Sequence, residues 1–194
     1  MIVSKKHKFV FISTPKTGTH TMYKILPEEY EGELQPGPYH QKNIPENYAN
    51  YFVFTTVRNP FERMVSIWHA LIERENYRPT FLPLVGSESF LEFVKWITSL
   101  APKERPKGKG GVLLYPQSEW LKDVELDKFL KIENIDSEFP SVPFYVKPSE
   151  QKKIPKVLAR KHKTWSDVQC KETRKLIVDW AKEDFVNFNY SEDY

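Results

Sequence analysis

Two short stretches hold side chains of the kind that bind and stabilise anions. Residues 14–21 read Thr-Pro-Lys-Thr-Gly-Thr-His-Thr. Lys16 brings a positive charge, and Gly18 permits a close approach by backbone. Thr17, Thr19 and Thr21 bring hydroxyls, with Pro15 ahead of the lysine and His20 among the threonines. If a helix opens here, its first N–H groups point at the same place, and the set can hold a phosphate-like group. This is not a Walker A loop, because the lysine precedes the glycine and no second glycine stands upstream. The second stretch is Arg58-Asn59-Pro60-Phe61-Glu62-Arg63-Met64-Val65-Ser66. At ~100° per residue, Arg63 and Ser66 fall with Asn59 on the face opposite Phe61, Met64, Val65, Trp68 and Ile72. Singly, such residues are ordinary solvated positions on an exposed helix face. Together, after a strand, they form a second polar set that the core does not need.

Proton transfer calls for a group that titrates near neutrality, and the chain has five histidines. His7 sits in a basic run, His69 in mid-helix, and His162 in the stretch Arg160-Lys161-His162-Lys163. His20 belongs to the anion stretch. His40 stands alone in a proline-bracketed segment between the two polar sets. By spacing alone a loop histidine is an ordinary surface residue, so His40, His20 and carboxylates such as Glu28 and Glu46 stay open as bases. Lysines crowd 103–109 and 152–163. Such runs are usually solvated surface, but they can also hold an anionic ligand.

The elements that position these residues follow from periodicity. Apolar β-type runs predict strands at 8–13, 51–57 and 127–132. Helices are expected over 19–26, 60–75, 89–100, 117–121 and 166–186. Asn59 is a good N-cap, and Pro60 suits the first helical position. Ser89 with Glu92, and Ser166 with Gln169, have capping-box spacing. Segments 27–50, 76–86 and 101–111 read as irregular, since proline and glycine break helical patterns there. Strands alternating with helices predict an α/β fold with a central parallel sheet, in one domain over 1–194. Both polar sets then fall at carboxyl ends of strands, where such sheets bind ligands.

With 194 residues the chain can bury a sizeable core. A net charge of only +3 argues against a nucleic-acid footprint. One cysteine, Cys170, excludes an intramolecular disulfide and is read as a buried, inert thiol. No stretch has the length of a membrane span or the apolar core of a signal peptide, so a cytoplasmic protein without membrane partners is expected.

Pro15-Lys16-Thr17-Gly18-Thr19 resembles the 5′-phosphosulfate loop of sulfotransferases that use 3′-phosphoadenosine 5′-phosphosulfate (PAPS). The second stretch is similar to that family's 3′-phosphate motif, R-x-P-x-x-R-x-x-S. Pro38-Tyr39-His40 resembles the histidine segment of heparan sulfate 2-O-sulfotransferases. Residues 115–121 and 129–133 resemble the Gln-then-Glu pattern of the carbohydrate branch, and 180–190 its terminal helix. Position 20 departs from the pattern, with His where Ser or Thr is usual.

The resemblance implies an α/β fold related to nucleotide kinases. It also implies PAPS as co-substrate without a metal, and a hydroxyl acceptor on a carbohydrate. Pro15, Lys16, Thr17, Gly18, Thr19, His20 and Thr21 would cradle the 5′ end. Arg58 and Ser66 would hold the 3′-phosphate, and the late basic residues Arg160, Lys161 and Lys163 would close over it. Lys16 would neutralise the leaving phosphate, and His40 would be the base. Rival readings are a small-molecule kinase, which lacks its Walker lysine here, and a non-catalytic nucleotide-binding module.

Overall fold

The computed structural model describes residues 1–146 and 163–194. Five strands pair in the order β3-β1-β2-β4-β5, namely β1 (Ile2–Ser4), β2 (Phe9–Ile12), β3 (Glu33–Leu34), β4 (Phe52–Val57) and β5 (Lys128–Lys131). Nine α-helices follow the chain among the described residues. They are α1 (Thr19–Tyr30), α2 (Pro60–Trp68), α3 (Arg78–Val85), α4 (Phe90–Ser99), α5 (Gln117–Leu121), α6 (Ile135–Glu138), α7 (Trp165–Val168), α8 (Lys171–Trp180) and α9 (Lys182–Asn187). By their contacts, the described residues of Met1–Arg58 and Leu121–Arg160 form one compact unit, and those of Asn59–Trp120 and Lys161–Tyr194 a second.

The first unit holds the whole sheet. Its centre is parallel, as expected, with β2 on β4 and β4 on β5. Its other edge is not, because β1 runs antiparallel to both β2 and β3. The sheet is therefore mixed, and the expectation of a purely parallel sheet is corrected. The cause is local: a tight turn at 5–8, with Lys8 at a positive φ of 51°, folds Ile2–Ser4 back onto β2. One sheet face is aromatic. Phe9, Phe11 and Phe54 are fully buried, and Phe144 stacks on Phe9 at 4.2 Å between centroids. Helix α1 covers that face with Met22, Ile25, Leu26 and Tyr30, the spacing of one helical stripe. Each such side chain contributes roughly 1.5–3 kcal/mol by leaving water. Helix α1 outruns its expected end, since Pro27 sits inside it and the chain leaves only at Glu31 in a left-handed conformation.

The second unit is helical. Asn59 caps α2 as expected, its side-chain oxygen accepting from the N–H of Phe61 at 2.9 Å and of Glu62 at 3.5 Å. The core gathers Phe61, Met64, Val65, Trp68, Phe93, Ile97, Trp165 and Ile177. Helix α2 ends at Trp68 and continues as one π turn over His69–Glu73. Two further expectations are corrected. Residues 78–85 are a helix rather than a loop, because Phe81 buries itself in this core despite Pro79 and Pro83. The single helix over 166–186 is three short ones. Thr164 caps α7 with Asp167, and Cys170 caps α8 with Thr173, so Ser166 and Gln169 form no cap. Ser89 precedes α4 without a side-chain cap bond, and Glu92 pairs with Lys95 instead. No described helix is long and apolar enough to cross a membrane.

Candidate active site

The anion loop leaves the carboxyl end of β2 in the first unit. Its backbone alternates in a way that side chains resist: Lys16 has φ 68° and Gly18 φ 86°, both left-handed. For a lysine this costs about 1–2 kcal/mol. Such alternation turns successive N–H groups inward and forms a nest for an anion. Helix α1 then starts at Thr19, and the N–H of Thr21 already reaches the Gly18 carbonyl at 2.9 Å. A helix start at the loop favours negative charge. Gly18 is required twice over, since a Cβ there would also collide with the Ile132 side chain after β5. The nest fits a phosphate group on these observations.

The threonines do something other than expected. Thr17 is fully buried, and its hydroxyl donates to the Thr14 carbonyl at 2.9 Å and meets the Thr56 hydroxyl at 3.1 Å. The hydroxyl of Thr19 donates to the same carbonyl at 3.0 Å. Thr14 in turn meets Thr55 at 2.8 Å, and Thr55 donates to the Ile12 carbonyl at 2.7 Å. These hydroxyls pin the loop to the ends of β2 and β4. The loop's own cradle is therefore backbone, and Thr17 and Thr19 shape it from beneath. Thr21 is buried at the start of α1, Pro15 is buried ahead of Lys16, and Lys16 is half-buried.

His40 joins the same place. Its Nδ1 lies 2.9 Å from the Ser13 carbonyl and 2.7 Å from the Ser13 hydroxyl. A carbonyl only accepts, so Nδ1 carries the hydrogen in the neutral ring, and the basic lone pair is on Nε2. Ser13 is fully buried, and its hydroxyl also donates to the Tyr39 carbonyl at 3.3 Å. That carbonyl accepts a second bond, from the Tyr23 hydroxyl at 2.9 Å. His20 is exposed on the first turn of α1, with its Nδ1 3.4 Å from the Tyr39 hydroxyl. Arg58, half-buried, leaves the carboxyl end of β4, the strand beside β2. Lys42 pairs with Asp123 at 2.9 Å, which holds the Asp123 carboxyl below its ordinary range. Glu28 and Glu46 are exposed.

The second unit carries the other expected residues. Ser66 and Arg63 lie on α2 but are buried, so their face of the helix is not solvated. Arg63 donates from Nη1 to the Tyr115 carbonyl at 2.9 Å. Lys163 is exposed and lies over the Trp68 ring, 5.6 Å from its centroid. Arg160, Lys161 and His162 lie outside the described residues. His69 is buried against Glu73 in the π turn, a structural place. His7 packs against Tyr30 and Phe144 rather than standing in solvent. Gln117 is buried at the start of α5. There Asp184 accepts from the N–H groups of Gln117 at 2.8 Å and Ser118 at 2.6 Å, and so acts as that helix's cap. Cys170 is exposed, not buried, and its sulfur accepts from the Thr173 N–H at 3.4 Å. Residues the sequence did not single out, Ser13, Thr14, Tyr23, Thr55 and Thr56, complete the first unit's site. Except for Tyr23, which lies on α1, their signal was a hydroxyl at the carboxyl end of β2 or β4.

A loop with left-handed Lys16 and Gly18 thus leaves the carboxyl end of a central strand, with His40 bonded to Ser13 beside it, in an α/β protein. A family model described as the sulfotransferase family matches residues 1–191. The chain belongs to that family and is a PAPS-dependent sulfotransferase. Neither a curated protein nor a solved structure gives a significant match.

Proposed function

We propose that the protein transfers a sulfuryl group from PAPS to a hydroxyl of a carbohydrate, with His40 as general base and the chain from 1 to 194 working as one sulfotransferase domain. The observation that carries this reading is the bond from His40 Nδ1 to the Ser13 carbonyl at 2.9 Å. It directs the ring's basic nitrogen away from the strand end, in the residue pair that opens the anion loop. The backbone nest of Lys16 to Thr19, with Pro15, His20 and Thr21 around it, would take the 5′-phosphosulfate. Arg58 and Ser66 would take the 3′-phosphate, as the family resemblance implies.

PAPS supplies an activated sulfuryl group whose leaving group is a phosphate. His40 Nε2 takes the proton of the acceptor hydroxyl as its oxygen bonds to sulfur. The bridging S–O bond breaks in line, and Lys16 meets the charge that appears on the phosphate oxygen. One well-aimed donor of this kind is worth about 3 kcal/mol of barrier. Ser13 keeps the His40 tautomer, and the threonine bonds to Thr55 and Thr56 keep the loop in place through the reaction.

Labelled PAPS with a panel of oligosaccharides, phenols, alkyl alcohols and amines tests the acceptor. In the same assay His40→Ala should retain binding of the product 3′-phosphoadenosine 5′-phosphate (PAP) and lose turnover by roughly 10²–10⁴-fold. Wild-type turnover should rise with pH as the imidazole loses its proton, since only the neutral ring can accept the acceptor's proton. If His20→Ala abolishes turnover while His40→Ala is nearly silent, the base is in the loop and the assignment is wrong.

A further inference from the structure

The ring of Tyr39 is out of place for a core residue and too firmly held for a loop residue. It is 44 % exposed. Isolated surface aromatics are common and need no explanation. This one differs in being fixed from beneath. Its backbone carbonyl accepts two side-chain hydroxyls, from Tyr23 at 2.9 Å and from the buried Ser13 at 3.3 Å. Its ring meets the Tyr23 ring at 4.8 Å and the His40 ring edge-on at 4.8 Å. The His20 ring stands 6.0 Å away. Burial by these neighbours, with the Tyr23 phenol adding, pushes the Tyr39 hydroxyl up to about 12, so it stays a neutral donor at physiological pH. Tyr39 is also next in sequence to His40. Any acceptor whose hydroxyl reaches His40 must lay its remaining atoms near this ring.

We infer that Tyr39 is a stacking ledge for the acceptor's pyranose ring, with the phenol and imidazole of Tyr39 and His20 bonding the sugar hydroxyls at its rim. A pyranose presents an apolar C–H face edged by hydroxyls. An exposed aromatic face bordered by hydrogen-bonding groups complements it. A ring locked in advance loses little freedom on binding, which raises affinity without new contacts. The inference rests on the reading above, that His40 is the base and a carbohydrate hydroxyl the nucleophile.

The test is a kinetic comparison of wild type, Tyr39→Ala and Tyr39→Phe with labelled PAPS and neutral or uronate-containing oligosaccharides, alongside calorimetric titration of PAP. Tyr39→Ala should raise the acceptor KM about tenfold, the size of a lost ring contact, with a smaller change in kcat and PAP affinity kept. Tyr39→Phe, which restores the ring, should rescue most of the KM. Retained PAP binding shows that each variant is folded. Saturation-transfer NMR should place the sugar C–H protons against an aromatic ring in wild type and lose that signal in Tyr39→Ala. An oligosaccharide KM unchanged in Tyr39→Ala overturns the ledge and leaves the carbohydrate reading standing. A loss confined to kcat overturns it as well, since Tyr39 would then act only by holding His40. If phenols or alkyl alcohols accept sulfate and no oligosaccharide does, the carbohydrate reading itself falls, and the ledge falls with it.

Discussion

Lys16 is held in a left-handed conformation that lysine resists, at a cost of about 1–2 kcal/mol. If the charge meets the leaving phosphate, its worth appears mainly in the transition state. Lys16→Ala should then lower kcat by about a hundredfold or more while the dissociation constant for PAP moves far less. Lys16→Arg should rescue poorly, because a planar guanidinium carries its charge in a different place. Single-turnover rates beside PAP titration separate the two effects, and normal kcat with weak PAP binding would assign Lys16 to ground-state binding. Cys170 gives a second prediction. Its sulfur receives the Thr173 N–H, and that bond, aided by the Thr173 side chain, lowers the thiol below its ordinary 9.0. A hydrogen bond to sulfur favours the thiolate. Alkylation by iodoacetamide should therefore reach half its limiting rate below pH 9.0 in the folded protein, and return to the ordinary value in urea. Coincident profiles in both states would remove the cap from the account. At this scale the sequence was half legible. Lys16, Gly18 and His40 announce themselves by type and by neighbours in the chain. Ser13, Tyr23, Thr55 and Thr56 do not, because their partners lie up to 43 residues away and meet them only in the folded chain. Thr17 and Thr19 were legible as hydroxyls but not in direction, since nothing in a sequence says that a hydroxyl turns inward to a carbonyl. Cys170 was misread for a related reason: cysteine usually avoids water, and here helix capping decided its place.

Elements set by local chemistry were read well. Asn59-Pro60 fixes where α2 begins, and the apolar runs fix β2, β4 and β5 to within a residue or two. Elements set by tertiary contact were not. Helix α3 forms around the buried Phe81 against the warning of two prolines, and β1 with β3 are too short to show a period. The split of the last helical stretch turns on which hydroxyl or thiol caps a helix, and Thr164, Ser166, Cys170 and Thr173 all stand within ten residues. The loop between β2 and α1 yields the prediction at this scale. Gly18→Ala must place a methyl at φ 86° and against Ile132. The backbone term alone is about 1–2 kcal/mol. The variant should unfold at lower urea by that amount and bind PAP more weakly, since the nest must open to relieve the collision. Adding Ile132→Ala removes the collision and leaves the φ strain. The double variant should regain part of the stability, and wild-type stability in Gly18→Ala would show that neither constraint operates.

A chain with a net charge of +3 has little general attraction for anions, so donor recognition must come from placed groups. PAP and AMP share the adenosine and the 5′-phosphate, and both can reach the backbone nest. They differ in the 3′-phosphate, which the resemblance assigns to Arg58 and Ser66. A ligand that binds only the folded state stabilises it by about 2.7 kcal/mol at a hundredfold excess over its dissociation constant. For a chain of this size each kcal/mol moves the melting temperature by about 2–4 °C, so PAP should raise Tm by about 5–10 °C. AMP at the same concentration should give a small fraction of that. Arg58→Ala should bring the PAP shift down to the AMP shift and leave the AMP shift itself nearly intact, because the nest is built from backbone and survives the substitution. Raising salt should shrink the PAP shift more than the AMP shift, since the extra phosphate adds an interaction that counter-ions screen. The comparison uses no acceptor, so it judges donor recognition apart from carbohydrate use. Equal shifts for PAP and AMP in the wild type would mean that the 3′-phosphate goes unread, and Arg58 and Ser66 would then have to be explained by packing alone.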